Sequence, residues 1–175
     1  MKNYIAAISA IGASLLASAC ASSGQPPAAQ AANVERVQCD GSATTQGEVE
    51  LLRSVTVLDM EPIYSHVPTA NNNTEDRVNG AKLLIRPPKG MDAEEMTRVL
   101  QCHSARVLLG QVSGSAVSND PYWLPDAWVH IEVEPEDGNF AVLLSTDSIH
   151  DSLEVLGRAH QYAGEHLLAV APPLP

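Results

Sequence analysis

The segment QCHSARVLLG, residues 101–110, sets a cysteine beside a histidine in a stretch with helical spacing. Thiolate and imidazole are both metal ligands, and a thiol is also a redox group or half of a cross-link. Neighbouring helix positions point about 100° apart, which keeps Cys102 and His103 from gripping one ion together. A metal site therefore needs another element, with His160 arriving from a second helix to meet His103, and Cys102 joining them if its thiol is reduced. That set, His103, His160 and Cys102, is the alternative reading: a periplasmic copper or zinc binder. No H-x-x-x-H, C-x-x-C or H-E-x-x-H spacing reinforces it.

Nucleophilic catalysis finds less. Ser113 and Ser115 lie in GQVSGSA, which lacks the G-x-S-x-G elbow and follows a helix instead of a strand. Glu132 and Glu134 are separated by about 7 Å on one strand face, a spacing that any exposed strand produces. No glycine-rich phosphate loop is present, so the sequence points to a protein that is not an enzyme and uses no cofactor.

The state of Cys102 depends on where the protein works. Lys2 precedes an uncharged, largely apolar run from Ile5 to Ala19 that ends in small residues, the pattern of a signal peptide over residues 1–19. The run is shorter than the roughly 20 residues of a membrane-spanning helix. LLASAC resembles the lipobox of bacterial lipoproteins, and the resemblance implies cleavage before Cys20 and lipidation there. Ala17 stands where that motif usually has leucine, and Ala17 with Ala19 also fits an ordinary signal peptidase. Ala21, in the place of a retaining Asp, favours the outer membrane. In an oxidising compartment the remaining cysteines, Cys39 and Cys102, pair naturally as a disulfide.

Removing the leader removes Lys2, and nine Lys and Arg then face 21 Asp and Glu, a formal charge of −12. With no basic cluster, nucleic acid is not an expected partner.

The elements that must position these residues follow from pattern. ASSGQPPAAQAAN has small residues and two prolines, and residues 20–36 read as a flexible tether. Segment 54–67 is rich in β-branched residues and reads as a strand or bent strand pair broken near Pro62. PTANNNTEDRVNG reads as a polar loop. GAKLLIRPP is a strand with Leu83 and Ile85 on one face, Lys82 and Arg86 on the other. Asp92 and Glu95 form a capping-box start for a helix that Gly110 ends, with Met96, Val99, Leu100, His103 and Val107 on its apolar stripe. Val129, Ile131 and Val133 alternate with His130, Glu132 and Glu134, and Asp137-Gly138 turns this strand into another. The last helix, about 148–167, is expected to face the core through Ile149, Leu153, Leu156, His160, Ala163 and Leu167. Residues 37–171 thus form one α+β domain with a short tail at 172–175. It is a two-layer sandwich, an antiparallel sheet of about four strands with two helices on one face. The order is ferredoxin-like from Gly80, and segment 54–67 can fill the place of the missing final strand.

PYWLPDAW gathers Tyr122, Trp123 and Trp128 between prolines in a chain poor in aromatics. Exposed, it suits a protein or glycan partner; turned inward, it seals the end of the sheet. Cys39 with Gly41, MEPIY, NGAKLLIRPPKGMDAEEMTRVLQCHSAR and DGNFAV together resemble a family of uncharacterised secreted or lipid-anchored proteins of Gram-negative bacteria. The resemblance spans most of residues 37–165 and implies envelope location but no activity. The expected function is a non-enzymatic envelope lipoprotein. It would bind a protein or cell-wall partner through PYWLPDAW or an exposed sheet face.

Overall fold

The computed structural model describes residues 25–40, 44–68 and 73–167. The signal peptide, Cys20, residues 20–24 of the expected tether and the tail at 172–175 lie outside them. The elements in chain order are α1 (Pro27–Gln38), α2 (Thr45–Ser54), β1 (Val57–Pro68), β2 (Thr74–Ile85), α3 (Ala93–Leu108), β3 (His130–Glu136), β4 (Asn139–Ser145) and α4 (Ile149–His166). The fold is α+β, with the four strands in one antiparallel sheet of order β1-β2-β4-β3. β1 lies beside β2, where a closing strand after α4 would otherwise lie. The chain order is thus not strictly ferredoxin-like, while the class holds.

Alternation decides what each strand buries. Ala81, Leu83 and Ile85 of β2, Phe140, Val142 and Leu144 of β4, and Ile131 and Val133 of β3 face α3 and α4 and form the core. The β3–β4 turn is built on Asp137 and Gly138, both at positive φ (49° and 78°), which matches the twist of a two-residue hairpin. Leu58 is the extra residue where the β1–β2 register shifts between Val57 and Asp59. After that bulge Asp59 and Glu61 point away from the core. At Gly80 the backbone of β4 comes so close that a Cβ would sit 1.8 Å from the Leu144 carbonyl oxygen. Only glycine fits there.

Four expectations change. Pro62 does not break segment 54–67, because β1 is an edge strand and a missing N–H is tolerated there. The polar stretch before Gly80 is strand from Thr74, paired only with β1, so the hairpin projects beyond the rest of the sheet. Residues 27–36, expected to be tether, are helical. PAAQAANVERVQ is rich in good helix formers with a proline at its first turn, and Ala31 is fully buried where α1 packs on α3. α2 was not expected; Thr44 caps it by accepting from the Gly47 N–H, and Leu52 enters the core.

The fourth change concerns α4. Its buried residues are Ser152, Val155, Ala159, Tyr162 and Ala163, whereas Ile149, Leu153 and Leu167 are about half exposed and His160 is exposed. The helix is turned roughly 100°, one residue, from the expected stripe. Small Ser152, Ala159 and Ala163 let it approach the sheet. The large ring of Tyr162 is worth more buried than a leucine, and its hydroxyl donates to the Leu52 carbonyl at 2.6 Å.

Candidate functional site

Two groups of polar residues lie on opposite sides of the sheet. Beneath it, Asp92 caps α3 by accepting from the Glu95 N–H at 2.8 Å, and so sets the helix that carries Cys102, His103 and Arg106. Cys102 is bonded to Cys39, with Cα atoms 5.6 Å apart, and the bridge fastens the end of α1 to α3. His103 is fully buried and its Nε2 lies 2.6 Å from Oδ2 of Asp120, itself buried; Oδ1 of Asp120 accepts from the Tyr122 N–H at 2.9 Å. A histidine held by an aspartate is the orienting half of a catalytic triad. Here the other nitrogen, Nδ1, is buried and has no hydrogen-bond partner among the described residues.

The structure does not bring His103, His160 and Cys102 together. His103 faces Asp120, Cys102 is spent in the disulfide, and His160 lies on the solvent side of α4. Among the described residues no group of three or more His, Cys, Asp or Glu is placed to hold a metal ion.

Arg106, one turn beyond Cys102, pairs with buried Glu48 of α2 and, at 3.2 Å, with Glu35 of α1. Burial pushes the Glu48 carboxyl above its ordinary value against the pull of Arg106. Burial also works against the Arg106 charge, but the hydrogen bond and the charge of Glu48 outweigh it and hold the guanidinium up. Sequence reading missed Asp120, Glu48 and Arg106 because all three partnerships span elements. Only the turn sequence Asn119-Asp120-Pro121 hinted that a side chain there would cap backbone.

PYWLPDAW is largely structural. Tyr122 is fully buried against Tyr162, ring edge to face with centroids 5.7 Å apart, and burial pushes both phenols up. This removes Tyr122 from the partner-binding set. Trp123 is half-buried over Gly114, where a Cβ would come within 2.3 Å of the ring, and Arg158 lies 5.2 Å from its centroid. Trp128, also half-buried, lines a cleft of about 190 Å³ with Gln25, Gln30, Asp126, Asp147 and Asp151. Asp151 is already engaged by Ser148, and Asp147 faces His130.

Above the sheet the register lays out a second polar group in rows. Glu61, Lys82, Leu143 and Glu132 stand side by side across the four strands, followed by Asp59, Leu84, Ala141 and Glu134. Glu136 closes the acidic edge on β3 and accepts from Lys82 Nζ at 2.8 Å. Glu136 first, then Glu61 and Asp59, hold the Lys82 ammonium above its ordinary value. Ile63, Asn79, His130, Glu132, Leu143 and Ser145 line a depression of about 270 Å³ on this face, and a smaller one beside it is lined by Asp59, Glu61, Lys82, Leu84 and Glu136. Lys82, His130, Glu132 and Glu134 lie on the face that the alternation gave them; the last three are exposed, whereas Lys82 is part-buried. Asp59 and Glu61 were not foreseen here, since the bulge at Leu58 sets their side.

No family model, curated protein or solved structure matches this chain. No helix among the described residues is long and apolar enough to cross a membrane.

Proposed function

We propose that this chain is a non-enzymatic lipoprotein of the bacterial cell envelope, held at the outer membrane by lipid on Cys20, whose open sheet face docks a protein or cell-wall partner. The observation that carries the docking reading is that, among the described residues, the helices pack on one side of the four-stranded sheet only. The uncovered side has depressions floored by half-buried Leu84, Leu143 and Ile63. Three part-buried apolar side chains rimmed by charge give this face the mixed apolar and polar make-up of a docking surface. The leader and the Cys39–Cys102 bridge support an extracytoplasmic home. The resemblance to lipid-anchored Gram-negative proteins agrees with it.

The test uses the native lipid-anchored protein, cross-linked in its own cells with an amine-reactive reagent. A discrete adduct is expected with the natural chain and its loss is expected with Leu84→Arg/Leu143→Arg, provided that variant unfolds at the same urea concentration. An adduct of undiminished yield in that variant would overturn the docking face. A cytosolic chain that retains Met1 would overturn the anchoring.

A further inference from the structure

The open face sorts its residues by strand. The outer strands carry the acids, Asp59 and Glu61 on β1 and Glu132, Glu134 and Glu136 on β3, while the inner strands carry Leu84, Ala141 and Leu143. Lys82 is the exception on the inner strands, and it is already committed to Glu136; Arg86 stands past the end of β2. With strands about 4.8 Å apart, the two acidic rails are separated by roughly 14 Å. An α-helix with its side chains is about 10–12 Å wide. A helix laid along the inner strands thus sets its apolar stripe on Leu84 and Leu143 and brings its two flanks to the rails.

We propose that the occupant of this face is a basic amphipathic helix of a partner protein, with Leu-like residues on its buried stripe and Lys or Arg on both flanks. The inference rests on the docking reading above and narrows it to one chemistry. Charge complementarity selects the partner: with Glu136 held by Lys82, the four carboxylates of Asp59, Glu61, Glu132 and Glu134 on the two rails ask for cations on both sides of an apolar ridge. The chain cannot supply such a segment from its residues outside the described ones, because Lys2 is the only Lys or Arg they contain. A second copy meeting the first face to face would set acidic rail on acidic rail, and the chain as a whole carries a net charge of −11.

The experiment uses the full chain carrying Cys20→Ser, collected as the exported, disulfide-bonded protein, and follows its amide resonances during peptide titrations. The probes are an amphipathic Leu/Lys peptide of about four helical turns, the same pattern with Glu for Lys, and a Lys/Ser peptide of equal charge. The Leu/Lys peptide is expected to shift Glu61, Leu84, Glu132, Glu134 and Leu143 and to leave α4 unmoved. Its affinity should fall about tenfold or more in Glu132→Lys/Glu134→Lys, and again as salt is raised. The Leu/Glu peptide should not bind. Equal binding of the Leu/Glu peptide at this face overturns the charge assignment while leaving a docking face in place. Equal binding of the Lys/Ser peptide overturns the amphipathic requirement. No shift at this face with any probe overturns the basic helix as occupant, whereas loss of the cellular adduct in Leu84→Arg/Leu143→Arg still judges the docking reading by itself.

Discussion

The two sides of the sheet hold ionisable residues on opposite terms. On the helical side the buried charges pair across elements: His103 with Asp120, Arg106 with Glu48 and Glu35, with the Cys39–Cys102 bridge among them. On the open side five carboxylates stand with one lysine, Lys82, which pairs with Glu136, around part-buried leucines. Buried polar groups must be paired or the fold loses the cost of their desolvation. Exposed ones carry no such demand, so an excess of one sign there is free to serve recognition. The difference teaches where not to look: the Cys-His pair that draws the eye in the sequence belongs to the frame.

The comparison breaks if changes on the helical side prove harmless. Arg106→Met leaves Glu48 buried without its cation, and a loss of roughly 3–5 kcal/mol is expected in urea unfolding. Cys39→Ala/Cys102→Ala opens a loop spanning 63 residues and is expected to cost roughly 2–4 kcal/mol, read the same way. Asp120→Leu strands the His103 Nε2 and the Tyr122 N–H in the interior. A loss of about 1–3 kcal/mol in the same assay is the expected result.

Smaller effects sharpen it. Glu48 has a raised carboxyl pKa, so the folded chain holds that proton to higher pH than the unfolded one. Its contribution to stability is present below the ordinary carboxylate value and is lost as pH rises through the raised one. Glu48→Gln should therefore show a shallower fall in stability over that window, followed by urea midpoints at successive pH values. On the open face, Glu132→Lys/Glu134→Lys should leave the unfolding midpoint within about 0.5 kcal/mol of the natural chain. A large change there would mean that the acidic rail is structural.

Much of the frame was legible in the sequence because its signals are local. Alternation around Ile131 and Val133, Asp137-Gly138 and the Asp92 cap each act within a few residues, and each gave its element. α1 was misread because alanine and proline serve a linker and a helix start alike, and only contact with α3 decides between them. α4 was placed but turned by one residue, since leucines outweigh alanines on a hydropathy stripe while close packing prefers the small side chains. The disulfide followed from counting cysteines in a chain whose first residues read as a leader. The pairings of His103, Arg106 and Glu48 join residues far apart in sequence, and no local rule predicts them. The acidic rails were half legible: β3 showed its Glu residues by alternation, and β1 hid its own behind a bulge.

The most direct test compares two apolar positions on opposite sides of the molecule, half-buried Leu143 and exposed Leu153. A photo-reactive residue at Leu143, on the open face, and another at Leu153, on the solvent side of α4, are activated in intact cells. Position 143 is expected to give one discrete adduct, abolished by Glu132→Lys/Glu134→Lys, and position 153 none. An adduct from 153 with none from 143 would contradict the account.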